Sequence, residues 1–209
     1  MLSRFPKPVA SGHGLPKRLF AGVVIGAYRD VDDIRIVGSN ESERTLKGSL
    51  QVRHVDVTGK LLNSWESEMD IPTGGVSRLL DLPGQYRSIG DRTQEAIHVE
   101  LRSGETVLAE DMLFFCPLAE IAPSQAPLSV ELRKTATDTW DLKVGATELC
   151  KMVEIETDGL VMFSDNYFPM APGKSKRIEM RAIDEHRLPT EVLVRALDSE
   201  SGGWRSVLG

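Results

Sequence analysis

The chain has 209 residues, 41% of them hydrophobic, and a formal net charge of −6. That length suits one large domain or two of about 100 residues, and the mildly acidic balance lacks the clustered Lys and Arg that neutralise phosphates, which excludes a nucleic-acid binder. No run approaches the ~18 apolar residues of a membrane span, and the opening MLSRFPKPVASGHG has no apolar core long enough for a secretory signal, so a soluble, unexported, cytoplasmic protein is expected.

Residues 1–16, with three prolines, read as a flexible lead-in. After them apolar and polar residues alternate with period two, as a strand with one buried face must. The stretches AYR and IRIV flank Asp30, Val31, Asp32 and Asp33. A calcium loop needs further ligands and a Gly that are missing here, so this reads as a solvated hairpin turn.

Asn40-Glu41 is a dipeptide that supplies the general acid in many retaining glycosidases. Here it closes a strand in the loop SNESERT, where solvent would keep a carboxyl too acidic to hold a proton at neutral pH. Asn40-Glu41-Ser42 is also a glycosylation sequon, which predicts nothing without a secretory signal.

SLQVRHVDVTGKLL reads as a hairpin whose apolar phase slips from Leu50 and Val52 to Val55 and Val57. The slip predicts a β-bulge near His54 and makes His54 a bulge residue instead of a site. IHVELRSGETVLAEDMLFF reads as another hairpin, with Ile97, Val99 and Leu101 on one face and a tight turn at SGE. CPLAEIAPSQAPLS, Cys116 to Ser129, holds three prolines and little periodicity, as an inter-domain connector does, and the boundary is expected near residue 123.

Beyond it, Leu128, Val130 and Leu132 alternate with polar residues; so do Trp140, Leu142, Val144 and Ala146, and again Ile178, Met180 and Ala182. About seven strands fit between Ala21 and Phe115 and about six between Leu128 and Leu197, at the turn spacing of sandwiches. The expected fold is all-β: a lead-in over 1–16, a first antiparallel sandwich over 17–117, a Pro-rich linker over 118–127 and a second sandwich over 128–209.

Within the second sandwich, FSDNYFPMAPG sets Ser164, Asp165 and Asn166 between aromatics. Short polar side chains of this kind hydrogen-bond their own backbone in turns. Tyr167 and Phe168 are then expected to re-enter the core, with Pro169, Pro172 and Gly173 carrying the crossing to the next strand. The stretch reads as a corner, not a binding site.

Candidate chemistry is sparse. Cys116 and Cys150 fall in different predicted domains and read as reduced, buried thiols. CxxC and HExxH are absent, and His13, His54, His98 and His186 lack metal-ligand spacing, so each reads as structural or solvated. With no GxSxG elbow and no phosphate loop, no catalytic residue, metal site or cofactor is expected. Among the aromatics Trp140 keeps the inward phase of its strand, Trp65 lies near a strand and Trp204 in a Gly-rich tail. Trp140, Tyr167 and Trp204 are the candidates for a carbohydrate contact, without forming an evident platform.

Two stretches carry a family resemblance. Phe163, Ser164, Asp165, Asn166, Tyr167, Phe168, Pro172 and Gly173 resemble the signature of the last immunoglobulin-like domain of β-mannosidases in glycoside hydrolase family 2, with Lys174 where an acidic residue is common. KRLFAGVVIGAYRD resembles the passage from the family's catalytic region into its penultimate sandwich, with Gly22 in place of the usual proline. Asn40, Leu46, Gly48, Leu50, Val52, Arg53, Asp56, Gly59 and Lys60 are similar to that sandwich's following strands.

The resemblance covers about residues 17–198 in the family's domain order, and related exo-β-glucosaminidases and endo-β-mannosidases share similar terminal domains. It implies two tandem immunoglobulin-like sandwiches that form the non-catalytic C-terminal accessory part of a β-mannosidase-like hydrolase. The implied partner is the catalytic domain of that enzyme, and β-mannoside glycans are a further possible ligand. The family's catalytic carboxylates sit on a (β/α)₈ barrel of about 250 residues, which this chain is too short to contain. A carbohydrate-binding module and an adhesion or scaffolding protein are the alternatives from other classes.

Overall fold

The computed structural model describes residues 22–184, 188–197 and 203–208. The lead-in, Lys17 to Ala21 of the passage motif, and two of the four histidines, His13 and His186, lie outside the described residues. None of the described helices is long and apolar enough to cross a membrane.

Among the described residues the first unit has seven strands: β1 (Val23–Asp30), β2 (Asp33–Asn40), β3 (Leu46–Asp56), β4 (Leu61–Ile71), β5 (Val76–Leu82), β6 (Glu95–Ser103) and β7 (Thr106–Phe114). They form two antiparallel sheets, ordered β1-β2-β5 and β4-β3-β6-β7. Alternation explains their stacking: Ile34 and Ile36 from one sheet meet Leu50, Val52, Ile97, Val99 and Leu101 from the other, all fully buried.

The second unit has β8 (Ser129–Lys134), β9 (Thr139–Ala146), β10 (Cys150–Thr157), β11 (Val161–Phe163), β12 (Phe168–Met170), β13 (Lys174–Ala182), β14 (Glu191–Ala196) and β15 (Trp204–Val207). Its sheets are ordered β11-β13-β9-β8 and β12-β10-β14-β15. Trp140, Leu142, Ile178 and Met180 pack from one against Val153, Ile155, Phe168 and Val194 of the other. Between Leu128 and Leu197 there are seven strands where the alternation indicates six. The additional one is β12, whose three residues are too few for a period to show.

The register slip lies where β3 meets β4, with a twist the alternation does not reveal. His54 opposes Asn63 and Val55 opposes Leu61, so the extra residue is Leu62 on β4. β3 itself runs in unbroken register against β6. His54 keeps the inward phase, 6.2 Å from the Phe115 ring, while Val55 on the opposite face is buried too. The apparent change of phase therefore marks a strand covered on both faces.

The second sandwich packs just beyond this end of β3. The Leu149 N–H donates to the Val57 carbonyl at 2.8 Å. At Gly59, with φ of 96°, a Cβ would lie 3.0 Å from Pro172 and 3.1 Å from the Thr147 carbonyl, so only glycine allows this approach. The linker is clamped from the second unit: a Glu148 carboxylate oxygen accepts the Gln125 N–H at 2.8 Å and the Ala126 N–H at 3.0 Å. Lys151 donates to the Ile121 carbonyl at 3.3 Å.

Gly48, in the middle of the resemblance over β3, has a packing reason: a Cβ there would sit 2.5 Å from the Arg102 carbonyl oxygen, which is backbone and cannot yield. Gly48→Ala is expected to destabilise the chain by about 1–3 kcal/mol through overpacking, read as a fall in the urea midpoint at unchanged m-value. The same change at Gly74, where nothing lies within 4 Å but φ is 73°, should act through backbone strain alone.

Candidate functional site

The Phe163–Gly173 stretch crosses from one sheet of the second sandwich to the other. β11 ends at Phe163, and the Ser164 N–H donates to the Glu179 carbonyl at 2.8 Å, holding the chain against β13. Asp165 and Asn166 then turn beneath the surface, with 7% and 8% of their area exposed. Each takes the next residue's N–H: Asn166 N donates to Asp165 Oδ1, and Tyr167 N to Asn166 Oδ1, both at 2.9 Å.

Asn166 does more than turn the chain. Its Oδ1 also accepts the Ile155 N–H at 2.9 Å, and its Nδ2 donates to the Ile155 carbonyl at 2.9 Å. A side-chain amide thus completes the ladder of β10 where no strand follows, satisfying backbone groups that burial would otherwise orphan. Phe168 enters the core fully buried, as the alternation predicts. Tyr167 does not: it adopts φ of 57° and stays 41% exposed. That left-handed turn swings its ring outward, and its hydroxyl donates to Glu154 at 3.1 Å.

Asp165 faces the other way, towards the first sandwich. Its carboxylate lies 2.9 Å from Lys176 of β13, which reaches Glu110 of β7 at 2.5 Å. One residue pair along β13, Lys174 meets Glu100 of β6 at 2.5 Å, and Arg102 pairs with the other oxygen of Glu100. The Glu100 side chain is only 3% exposed. Burial alone would push this carboxyl up, but Lys174, His98 and Arg102 hold it below its ordinary range. Burial opposes ionisation of Glu110 as well, and His98 with Lys176 overcomes it, lowering this carboxyl to about 2.

Lys174 stands where the resembling family commonly has an acid, and Glu100 across the junction is its complement. Nothing in the sequence marks Glu100, Glu110 or Lys176 as a group. They occupy the outward positions of alternating strands, which read as solvated until the second sandwich covers them.

Beside this network a cleft of about 630 Å³ opens between β1, β7 and β13, lined by Val24, Val107, Ser164, Asp165, Lys176 and Arg177 among others. A smaller cavity of about 20 Å³ lies between His98, Glu110 and Asp111 on one side and Pro169 and Ala171 on the other. Asp111 is spent on the Ala27 N–H of β1 at 2.8 Å.

The other sequence candidates are dispersed. Trp140 is 2% exposed and offers no ring face to a ligand; Trp65 and Trp204 pack against the first and second cores. The aromatic candidates Trp140, Tyr167 and Trp204 share no surface. In the acidic turn Asp32 pairs with Arg87, and Asp33 accepts the Gly84 N–H at 2.8 Å; no group of three or more His, Cys, Asp or Glu among the described residues is placed to hold a metal ion. Asn40 is fully buried, its amide nitrogen donating to the Arg44 and Ile71 carbonyls at 2.8 and 3.0 Å, so the sequon amide is engaged in the folded chain. His54 bonds Glu95 at 2.7 Å.

Cys116 is half-buried, not buried as expected, because it sits where the linker leaves the first sandwich, with its thiol donating to the Arg92 carbonyl. Burial pushes the Cys116 thiol up and the Cys150 thiol up to about 11, so neither is a ready nucleophile.

Fold and junction together define the class: two immunoglobulin-like antiparallel β-sandwiches packed in tandem through a partly buried ionic seam. Residues 32–118 match the family described as Mannosidase Ig/CBM-like domain, and residues 124–199 match the mannosidase-associated family described as Ig-fold domain. These two stretches are thus immunoglobulin-like domains of the kind typical of glycoside hydrolase family 2 enzymes. No curated protein matches it by sequence. Its fold is similar to part of the β-D-mannosidase of Dictyoglomus thermophilum, with TM-score 0.74 and 15% identity, covering 88% of this chain and 22% of that one. It is also similar to part of the Amycolatopsis orientalis exo-chitosanase, with TM-score 0.64 and 12% identity, covering 88% of this chain and 26% of that one. The chain spans about a quarter of the length of these enzymes.

Asn166→Ala removes three hydrogen bonds and leaves the Ile155 backbone groups buried and unpaired, which cost about 1–3 kcal/mol each. A loss of roughly 2–4 kcal/mol in stability by urea denaturation is expected, with the first sandwich's near-neighbour NMR shifts unchanged away from the junction.

Proposed function

We propose that this chain is the non-catalytic C-terminal accessory region of a β-mannosidase-like glycoside hydrolase, packing against its catalytic domain. The carrying observation is the order of the two family matches along one chain, together with a fold that overlays 88% of the chain on about a quarter of two glycosidases. The chemistry within the chain supports the same reading. The carboxylates at the junction are engaged by cations or backbone N–H groups, and no described pair stands free in a dry pocket to act as acid and nucleophile. A (β/α)₈ barrel needs alternating strands and helices, whereas the described residues form strands, turns and two short 3₁₀ turns.

The 630 Å³ cleft is the place where the sugar-binding alternative fits best; its volume suits a small ligand, but among the described residues its lining includes no aromatic ring for stacking. A preparation of this chain free of contaminants is expected to give no turnover of an aryl β-mannoside, and turnover would overturn the accessory reading. Calorimetric titration with β-1,4-mannooligosaccharides is expected to give no saturable heat. Binding tighter than about 1 mM, worth roughly 4 kcal/mol, would instead make the chain a sugar-recognition module.

A further inference from the structure

Two kinds of contact join the sandwiches, and they lie on different parts of the junction. Near the linker they are backbone and apolar: the Leu149 N–H on the Val57 carbonyl, and Pro172 against Gly59. These are indifferent to pH. Along β13 they are ionic, with Lys174 on Glu100 and Lys176 shared between Glu110 and Asp165.

We propose that these ion pairs are an acid-released latch, which holds the two sandwiches at one fixed angle while Glu100 and Glu110 are charged and frees them to pivot about the Val57–Leu149 contact when both are protonated. The inference is independent of the accessory function. Every titratable or charged group facing the two glutamates takes part in the balance. From the first sandwich these are His98 and Arg102 of β6, with Asp111 of β7 turned to the Ala27 N–H. From the second they are Lys174, Lys176 and Asp165.

Protonating Glu100 removes the partner of Lys174, whose ammonium can then turn to solvent because its side chain is already 30% exposed. Lys176 is 22% exposed, and its other partner, Asp165, belongs to its own sandwich and so holds nothing across the junction. Each core is apolar and closed within its own sandwich, so loss of the seam leaves both folded. The sign follows from the depressed carboxyl of Glu110: pairing is fully present above the ordinary value of 4.5 and is lost as pH falls towards about 2. The small cavity between His98, Glu110, Asp111, Pro169 and Ala171 spans both sandwiches beside the latch, so parting there begins at an existing gap in the packing.

The test is NMR residual dipolar coupling on the full chain, which reports whether the two sandwiches share one alignment tensor. At pH 7 the unaltered chain is expected to give one shared tensor, separating into two between about pH 4.5 and 2 while the core amide shifts of both sandwiches persist. Glu100→Gln with Glu110→Gln, mimicking the protonated pair, is expected to give two tensors already at pH 7. Should that variant fail to fold, Lys176→Gln, which cuts the Lys176–Glu110 pair and leaves the buried Glu100 paired, is expected to widen inter-sandwich motion at pH 7. A tensor that stays shared in a folded variant, or in the unaltered chain down to the pH at which its cores unfold, overturns the latch.

Discussion

The contact on which this architecture turns is the ion pair between Glu100 and Lys174. A carboxylate with 3% of its side chain exposed cannot be left alone; uncompensated burial of a charge costs several kcal/mol, and breaking such a pair from one side is far worse than never having had it. The pair therefore contributes less to net stability than to uniqueness. Of the many ways two sandwiches on a Pro-rich linker could lean together, few add a second cation to the Glu100 that Arg102 of its own strand already pairs. Those that also seat Lys176 between Glu110 and Asp165, and Pro172 over Gly59, are fewer still. The angle between the sandwiches follows from satisfying all of these at once.

The SDN corner serves both ends of that constraint. Asn166 points inward and closes the β10 ladder, so the corner is rigid with respect to its own core. Asp165, its neighbour, points outward and orients Lys176. A local motif that looks like a turn thus transmits the position of the second core to the surface of the first. It also explains why a stretch so rich in polar side chains is poor in ligand-ready chemistry, because its hydrogen-bonding capacity is consumed within the protein.

Much of the architecture is legible from the period of two. The seven strands of the first sandwich, its β6–β7 hairpin and the inward faces of β9 and β13 follow directly from alternating side chains. Where an element is shorter than two periods, as in β12, the pattern has nothing to repeat and it is missed. Where a strand is buried on both faces, as β3 is at His54 and Val55, alternation mimics a bulge within that strand, though the extra residue sits across the ladder at Leu62. The sequence places Tyr167 in the core with Phe168 after the corner; a left-handed backbone turn, which composition does not announce, carries it outward.

The amino-acid sequence by itself determined the all-β class and the tandem division through the spacing of apolar side chains, and the family through the residues of the FSDNYF corner. Only the tertiary structure decided that Glu100, Glu110, Lys174, Lys176 and Asp165 act together. Outward positions on two separate strands look alike whether water or another domain lies beyond them, and the difference is a matter of what packs there. Charge pairing across a junction depends on distances in space between residues some 65 to 75 positions apart, and no local pattern records them.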